Sequence, residues 1–112
     1  MREGLKHSSD VHDSNGAEGR INLPYEEMVE RLGEPNQCDL MDDYKSDVQW
    51  GIVTDDGLGF VVWNYKNGPN YNSGEGTIED IDEFSIGFSR NHDPEASRDL
   101  VRSVFGDSLE VR

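Results

Sequence analysis

The sequence predicts an α+β domain in which a three-stranded antiparallel meander carries two helices on one face, in the order α–β–β–β–α. Three observations support this prediction. Two segments place apolar residues three and four positions apart, as helices do, and three segments between them alternate apolar and other residues, as strands do. Glycine, proline and asparagine separate the segments, which is typical of turns.

The first predicted helix covers residues 24–32. Pro24 fits the first helical position, and Gly33 followed by Pro35 predicts the end of the helix. The apolar side chains fall on one face, at Tyr25, Met28, Val29 and Leu32.

Three strands are predicted next. Residues 48–53 alternate, residues 55–57 (Asp-Asp-Gly) predict a tight turn, and residues 58–65 return as a second strand. The second strand is apolar on both faces, so we expect it at the centre of the sheet. Residues 83–89 alternate again and predict the third strand.

The remaining segments are a long loop, a helical turn and a final helix. Residues 66–76 are rich in Gly, Asn and Pro and predict the loop, and residues 77–82 predict one helical turn. Asp93 is the expected N-cap of the last helix, and Gly106 is its expected C-cap. The apolar stripe of this helix is formed by Ala96, Leu100, Val101, Val104 and Phe105.

The N-terminal 20 residues are predicted to be a disordered arm, because they contain too little apolar surface to offset the entropy of ordering. Residues 21–112 are then a single α+β domain, as the length of 112 residues suggests. The arm has no apolar stretch of the kind that a secretion signal has, and Cys38 is the only cysteine. We therefore expect a cytoplasmic protein, without a membrane-spanning helix.

The net charge of −14 is the strongest functional indication in the sequence. It disfavours direct binding to DNA or RNA, whose phosphates need a basic face, and it favours basic partners. Two explanations of the charge stay open. It is either a general aid to solubility, or a mimic of the phosphates that enter the basic groove of a nucleic-acid-binding protein.

No catalytic motif is present. The sequence has no nucleophile elbow, no phosphate-binding loop and no dinucleotide-binding fingerprint, and it predicts no enzyme, no cofactor and no catalytic residue. His7 and His12 are too few to form a metal site, and residues 11–16 lack the first acidic residue of a calcium loop. We therefore expect no metal site.

The aromatic run at residues 63–71 (Trp-Asn-Tyr-Lys-Asn-Gly-Pro-Asn-Tyr) allows two interpretations. It is either a packed strand end followed by a structured loop, or a recognition surface in which aromatic rings lie beside amides. With the acidic pairs, it provides the candidate partner-binding residues, which are Asp42, Asp43, Asp55, Asp56, Tyr65, Tyr71, Asp80 and Asp82.

Several of these segments also occur together in one group of proteins. The segments are Leu23-Pro24-Tyr25, Leu32-Gly33-Glu34-Pro35, Asp56-Gly57, residues 64–71, residues 78–81, Leu100-Val101 and Phe105-Gly106. With them the chain resembles, over residues 21–106, the small uncharacterised acidic accessory proteins of phages and prophages, of the type found in phages of actinobacteria. The resemblance implies a phage gene product that acts in a bacterial cytoplasm, and it transfers no catalytic residues.

A second resemblance concerns shape. A helix ending in Leu-Gly-Glu-Pro, a loop and a hairpin are similar to the unit of β-lactamase inhibitor proteins and of outer-membrane assembly lipoproteins, which are binding modules. Fold analogy alone is a weak guide to function.

The predicted function is binding and inhibition of a host defence protein, such as a nuclease or a CRISPR effector, through its basic nucleic-acid groove. One alternative is a phage structural or assembly factor that forms a homodimer through a sheet edge. The other alternative is a metal-dependent enzyme that uses clustered aspartates.

Overall fold

A computed structural model of the chain describes residues 4–8, 18–36, 47–68, 74–88 and 94–111. These residues form an antiparallel sheet, two helices and two short 3-10 turns, at Ile78–Asp80 and Gly106–Ser108. The strands and helices are β1 (Leu5–His7), β2 (Gly19–Ile21), α1 (Tyr25–Leu32), β3 (Gln49–Thr54), β4 (Gly59–Trp63), β5 (Phe84–Phe88), α2 (Pro94–Phe105) and β6 (Leu109–Val111). The α+β class is therefore confirmed.

The sheet has six strands among the described residues, in the order β1-β3-β4-β5-β2-β6, and every neighbouring pair is antiparallel. The predicted meander is its centre, β3-β4-β5. The prediction of only three strands is wrong, because β1 extends the sheet beyond β3, and β2 and β6 extend it beyond β5. All residues of β4 are buried, which confirms its central place.

Each of the unpredicted strands is three residues long, too short to show alternation. The prediction of a disordered arm is wrong for residues 4–8 and 18–20. Backbone hydrogen bonds to β3 and β5 order these residues, and Ser8 N donates to Gly51 O at 2.8 Å. Leu5 is only 7% exposed and adds a buried side chain to the core.

Both helices pack on the same face of the sheet, as predicted. Met28 and Leu32 of α1 and Val101 of α2 are fully buried in one apolar cluster with that face. The Phe105 ring of α2 meets the Phe60 ring of β4 edge-on, with centroids 6.0 Å apart. The cluster also contains Trp50, Ile52, Val62, Phe84, Ile86 and Phe88.

Helix α1 has sharp boundaries. Pro24 is extended (φ −62°, ψ 154°) and is the N-cap rather than the first helical residue, and its carbonyl oxygen accepts bonds from Glu27 N and Met28 N. The helix ends at Gly33, whose φ of 77° is open to glycine but not to other residues without strain. Helix α2 ends similarly, before Gly106, which has a φ of 60°.

The two helices are eight and twelve residues long. Within the described part of the chain, neither has the length and apolar character needed to cross a membrane.

Candidate functional site

The candidate binding residues that the structure describes lie at two opposite ends of the sheet. Asp55 and Asp56 form the turn between β3 and β4, whereas Tyr65 follows β4 and Asp80 and Asp82 precede β5. Trp63 pairs with Ser85, so the start of β5 lies beside the end of β4. At ~3.3 Å per residue, the five residues of β4 hold the two ends roughly 15 Å apart.

These residues therefore do not form one continuous surface. The structure brings Tyr65, Asp80 and Asp82 to one end, which we call the Tyr65 end, and places Asp55 and Asp56 at the other end. Asp42, Asp43 and Tyr71 lie outside the described residues.

Asp55 is paired with a cation. Lys6 Nζ lies 2.7 Å from Asp55 Oδ1, and both side chains are well exposed. The hydrogen bond to Asp55, together with its negative charge, raises the pKa of Lys6 above its ordinary value. Because exposed ion pairs add little stability, the pair mainly lowers the free negative charge at this end.

Asp80 has a structural role in the 3-10 turn. Its Oδ2 accepts hydrogen bonds from Thr77 N at 3.2 Å and from Thr77 Oγ1 at 3.1 Å. The bond from Thr77 N is one half of a capping box, in which the Thr77 side chain in turn accepts from the backbone N–H of Asp80. The 3-10 turn also contacts the start of α1, because Tyr25 N donates a hydrogen bond to Ile81 O at 2.9 Å. This contact places the acidic 3-10 turn next to the first turn of α1, which is also acidic.

The Tyr25 ring lies within the field of two carboxylates. Burial, followed by the negative charges of Glu34 and Glu79, raises the pKa of Tyr25 above its ordinary value of 10.0. Glu34 follows α1, and Glu79 belongs to the 3-10 turn, yet both act on the same phenol. The ring also contacts Trp50 in the core, with centroids 6.1 Å apart.

Glu34 and Glu79, which act on this ring, are exposed, and so are Glu26, next to Tyr25 in α1, and Asp82, next to Ile81. We call these four carboxylates the acidic surface. Among the described residues, ion pairs engage none of the four, whereas Arg31 pairs with Glu27 at 3.1 Å and Arg20 with Glu83 at 3.4 Å. The acidic surface therefore carries negative charge that no described cation offsets.

Sequence reasoning named Asp82 but missed the other three members. Glu34 and Glu79 are far apart in the chain, and both act on the Tyr25 phenol only because the 3-10 turn meets the start of α1. Asp80 was named for binding, although the Thr-x-x-Asp pattern at residues 77–80 is a capping signal that the sequence already contains.

The second residue of the aromatic run is a buried amide. Asn64 is fully buried, its Oδ1 accepts from Asp47 N at 2.7 Å and Val48 N at 3.0 Å, and its Nδ2 donates to Asp47 Oδ2 at 2.8 Å. The interpretation as a packed strand end with a structured loop is supported for residues 63–68. Beside this buried residue, Tyr65 is 50% exposed, and it is the exposed large hydrophobic residue of the described chain.

An open groove of about 500 Å³ separates the two helices. Arg31 crosses it, with Nη1 on Glu27 Oε2 at 3.1 Å and Nε donating to Val104 O at 3.3 Å. These bonds tie α1 to the last turn of α2. The guanidinium is thus engaged within the protein, and we assign the groove a structural role.

Within the described ranges, no three histidine, cysteine or carboxylate side chains converge as metal ligands would. His7 Nε2 instead lies 2.6 Å from Leu32 O and donates to it.

Comparisons of the chain with protein-family models, with curated proteins and with solved structures find no match. The resemblance to phage accessory proteins therefore stays a prediction, and the case for function depends on the surface just described.

Proposed function

We propose that this chain is a binding protein that docks its Tyr65 end on a basic surface of a partner protein and inhibits that partner. The observation that carries the proposal is the acidic surface, two members of which, Glu79 and Asp82, lie just before β5 at the same end as the exposed Tyr65 ring. Exposed carboxylates without a cation are free to pair across an interface, and an exposed aromatic ring is a frequent anchor.

The charge of the whole chain supports docking of this kind. A net charge of −14 on 112 residues creates a strong field, which accelerates association with a positively charged surface. The same field repels nucleic acid. A partner that normally binds nucleic acid therefore fits best, because its groove is already shaped for a row of negative charges.

The proposed partner is a nuclease or another nucleic-acid-processing defence protein of a bacterial host, such as a CRISPR effector. The chain would occupy its basic groove and exclude DNA or RNA. The resemblance to phage accessory proteins is consistent with this class of partner.

The alternatives receive less support. Both sheet edges of the described chain, β1 and β6, are only three residues long, and short edges disfavour the strand pairing that a homodimer through the sheet would need. Of the clustered aspartates proposed for a metal-dependent enzyme, the four that the structure describes divide between the two ends of the sheet.

A capture experiment tests the proposal. The purified chain is immobilised, incubated with lysate of a bacterial host, and washed with buffer of low and then high salt. We expect a nucleic-acid-processing protein that elutes with salt and is also released by added duplex DNA. Capture that survives high salt and excess DNA would contradict the electrostatic docking.

The same preparation distinguishes the alternatives. A fixed oligomer in light scattering, with no host protein captured, would favour an assembly factor. A rise in melting temperature with Mg²⁺ or Mn²⁺ would favour a metal-dependent protein, because a ligand of the folded state stabilises it.

A further inference from the structure

The Tyr65 ring carries a cation of its own chain. Lys66 Nζ lies 5.2 Å from the centroid of the Tyr65 ring, within the ~6 Å over which a cation and an aromatic face attract. We propose that the Tyr65 ring is a platform for an arginine side chain of the partner, and that Lys66 covers this platform in the unbound protein. The inference rests on the proposed function, because it specifies how the Tyr65 end holds its partner.

The backbone of Lys66 is an independent sign of a specialised position. Its φ is 59°, the left-handed region, and it is the non-glycine residue of the described chain with a positive φ. Glycine or asparagine adopts this conformation at lower cost, but neither has a long cationic side chain that reaches a neighbouring ring. Strained residues persist where the surrounding structure fixes them, and they are frequent at binding sites.

Both sides of the Tyr65–Lys66 pair are fixed. Before it stands the fully buried Asn64, which is hydrogen-bonded to the backbone of Asp47 and Val48 and to the Asp47 carboxylate. After it, Asn67 Nδ2 donates to Glu83 O at 2.8 Å. The backbone of Gly68 lies so close to the Asp47 carboxylate that a side chain at position 68 would overlap it. The ring is therefore presented in a fixed position before any partner arrives, which lowers the entropic cost of binding.

Arginine is the residue that best replaces Lys66 on this ring. A guanidinium is planar, stacks on aromatic faces and is less strongly hydrated than an ammonium group. A partner's arginine would therefore gain more from the ring than Lys66 does.

A titration with short peptides tests the inference. The probes are an arginine–glycine repeat peptide, the matching lysine peptide and the matching citrulline peptide, each added at low salt to the full chain. Binding is followed by calorimetry and by the ring signals of Tyr65 in NMR spectra. We expect the arginine peptide to bind most tightly, the citrulline peptide to bind least, and the Tyr65 ring signals to move.

Two exchanges at position 65 separate stacking from apolar contact. Tyr65→Phe keeps an aromatic face, so we expect an affinity close to that of the wild type. Tyr65→Leu keeps apolar area but removes the face, so we expect the affinity for the arginine peptide to fall about two- to five-fold. The side chain is half exposed, and unchanged thermal unfolding verifies that both variants fold.

Exchanges of two lysines test the role of Lys66. Lys66→Gln uncovers the ring, whereas Lys6→Gln removes the same charge at the other end of the sheet. We expect both to strengthen binding through charge, and Lys66→Gln to do so by a clearly larger factor.

Equal affinities of Tyr65→Leu and the wild type for the arginine peptide would overturn the inference, and so would equal effects of the two lysine exchanges. In either case, peptide binding that still weakens with salt would leave the proposed function standing. If the wild-type chain bound none of the peptides at low salt, the proposed function and the inference would both fail.

Discussion

The indole Nε1 of Trp50 donates a hydrogen bond of 2.8 Å to the carbonyl oxygen of Gly33, the residue at which α1 ends. His7 Nε2, on the neighbouring strand, donates to Leu32 O at 2.6 Å. Two of the carbonyl groups that the end of a helix leaves without partners are thus satisfied by side chains of the sheet. These bonds fix α1 on the sheet, and with it Glu26 and Glu34.

Gly33→Ala is expected to destabilise the protein. The backbone at Gly33 (φ 77°, ψ −170°) is in a region that costs other residues about 1–3 kcal/mol. A Cβ there would also lie 3.1 Å from His7 Cε1. Chemical denaturation should show a fall in the free energy of unfolding of at least that size.

Gly57→Ala is the matched control, because Gly57 has a φ of 86° but open space where a Cβ would lie. It should cost less than Gly33→Ala. An equal cost would show that the contact with His7 adds nothing.

Asn64→Asp is expected to destabilise the protein by about 2–4 kcal/mol at neutral pH. It replaces the amide that donates to Asp47 Oδ2 with a carboxylate, so that two negative groups face each other inside the protein. Protonation of either carboxylate relieves the repulsion, so the loss of stability relative to the wild type should be smallest at acidic pH and should grow as the pH rises. Thermal unfolding across the acidic range measures the effect.

Asn67→Asp provides the comparison, since Asn67 is exposed and donates a single bond, to Glu83 O. We expect it to cost less than about 1 kcal/mol. If Asn64→Asp were as mild as Asn67→Asp, the buried contact between Asn64 and Asp47 would be contradicted.

Tyr25 should ionise above the ordinary tyrosine pKa of 10.0, because burial and the charges of Glu34 and Glu79 disfavour the phenolate. A pKa raised by folding gives stability that is present below about pH 10 and is lost as the pH rises through the folded-state value. The difference in phenolate absorbance between the wild type and Tyr25→Phe isolates this titration.

Glu34→Gln and Glu79→Gln should each lower the pKa of Tyr25 toward 10.0. An unchanged midpoint in both variants would mean that these carboxylates do not gather around the ring, and the acidic surface would lose its defining contact.

Ser97→Ala is expected to stabilise the protein. Ser97 Oγ is on α2, the residue is only 1% exposed, and the hydroxyl has no hydrogen-bond partner among the described residues. The exchange removes a buried hydroxyl group that lacks a hydrogen bond, and alanine has a higher helix propensity than serine. Together these effects should raise the free energy of unfolding by about 1 kcal/mol.

Ser103→Ala, on the same helix, receives the same gain in helix preference but loses a bond of 2.7 Å to Leu100 O at an exposed position. The two melting temperatures should therefore differ, with Ser97→Ala higher. The reverse order would point to a partner for the Ser97 hydroxyl in the folded chain.

The elements that the sequence predicted are those with a repeating pattern of side chains. Helix α1 shows four apolar residues at helical spacing, and β3, β4 and β5 each have five or six residues, which is long enough for an alternating or continuous apolar pattern to appear in the sequence. Strands β1, β2 and β6 have three residues each, and their order comes from pairing with strands that lie far away in the chain. The local sequence of a three-residue strand does not indicate which distant strand it pairs with.

The candidate site, like the fold, was predicted only in part from the sequence. Tyr65 was named from its place in an aromatic run, and the structure leaves it half exposed. The acidic residues could not be sorted, because composition does not say which carboxylates converge. Asp55 forms an ion pair with Lys6, and Asp80 is hydrogen-bonded to Thr77. Glu34 and Glu79, in contrast, both act on Tyr25 only because of the tertiary fold.

The most direct test of the proposed docking compares two double variants that each remove two negative charges. Glu79→Gln with Asp82→Asn neutralises part of the acidic surface, and Asp55→Asn with Asp56→Asn neutralises the opposite end. The affinity of each for the protein captured from host lysate is measured at low and moderate salt. We expect the first pair to weaken binding strongly and to flatten its salt dependence, and the second pair to change both only slightly. Equal losses from the two pairs, or a larger loss from the Asp55 and Asp56 pair, would contradict docking through the Tyr65 end.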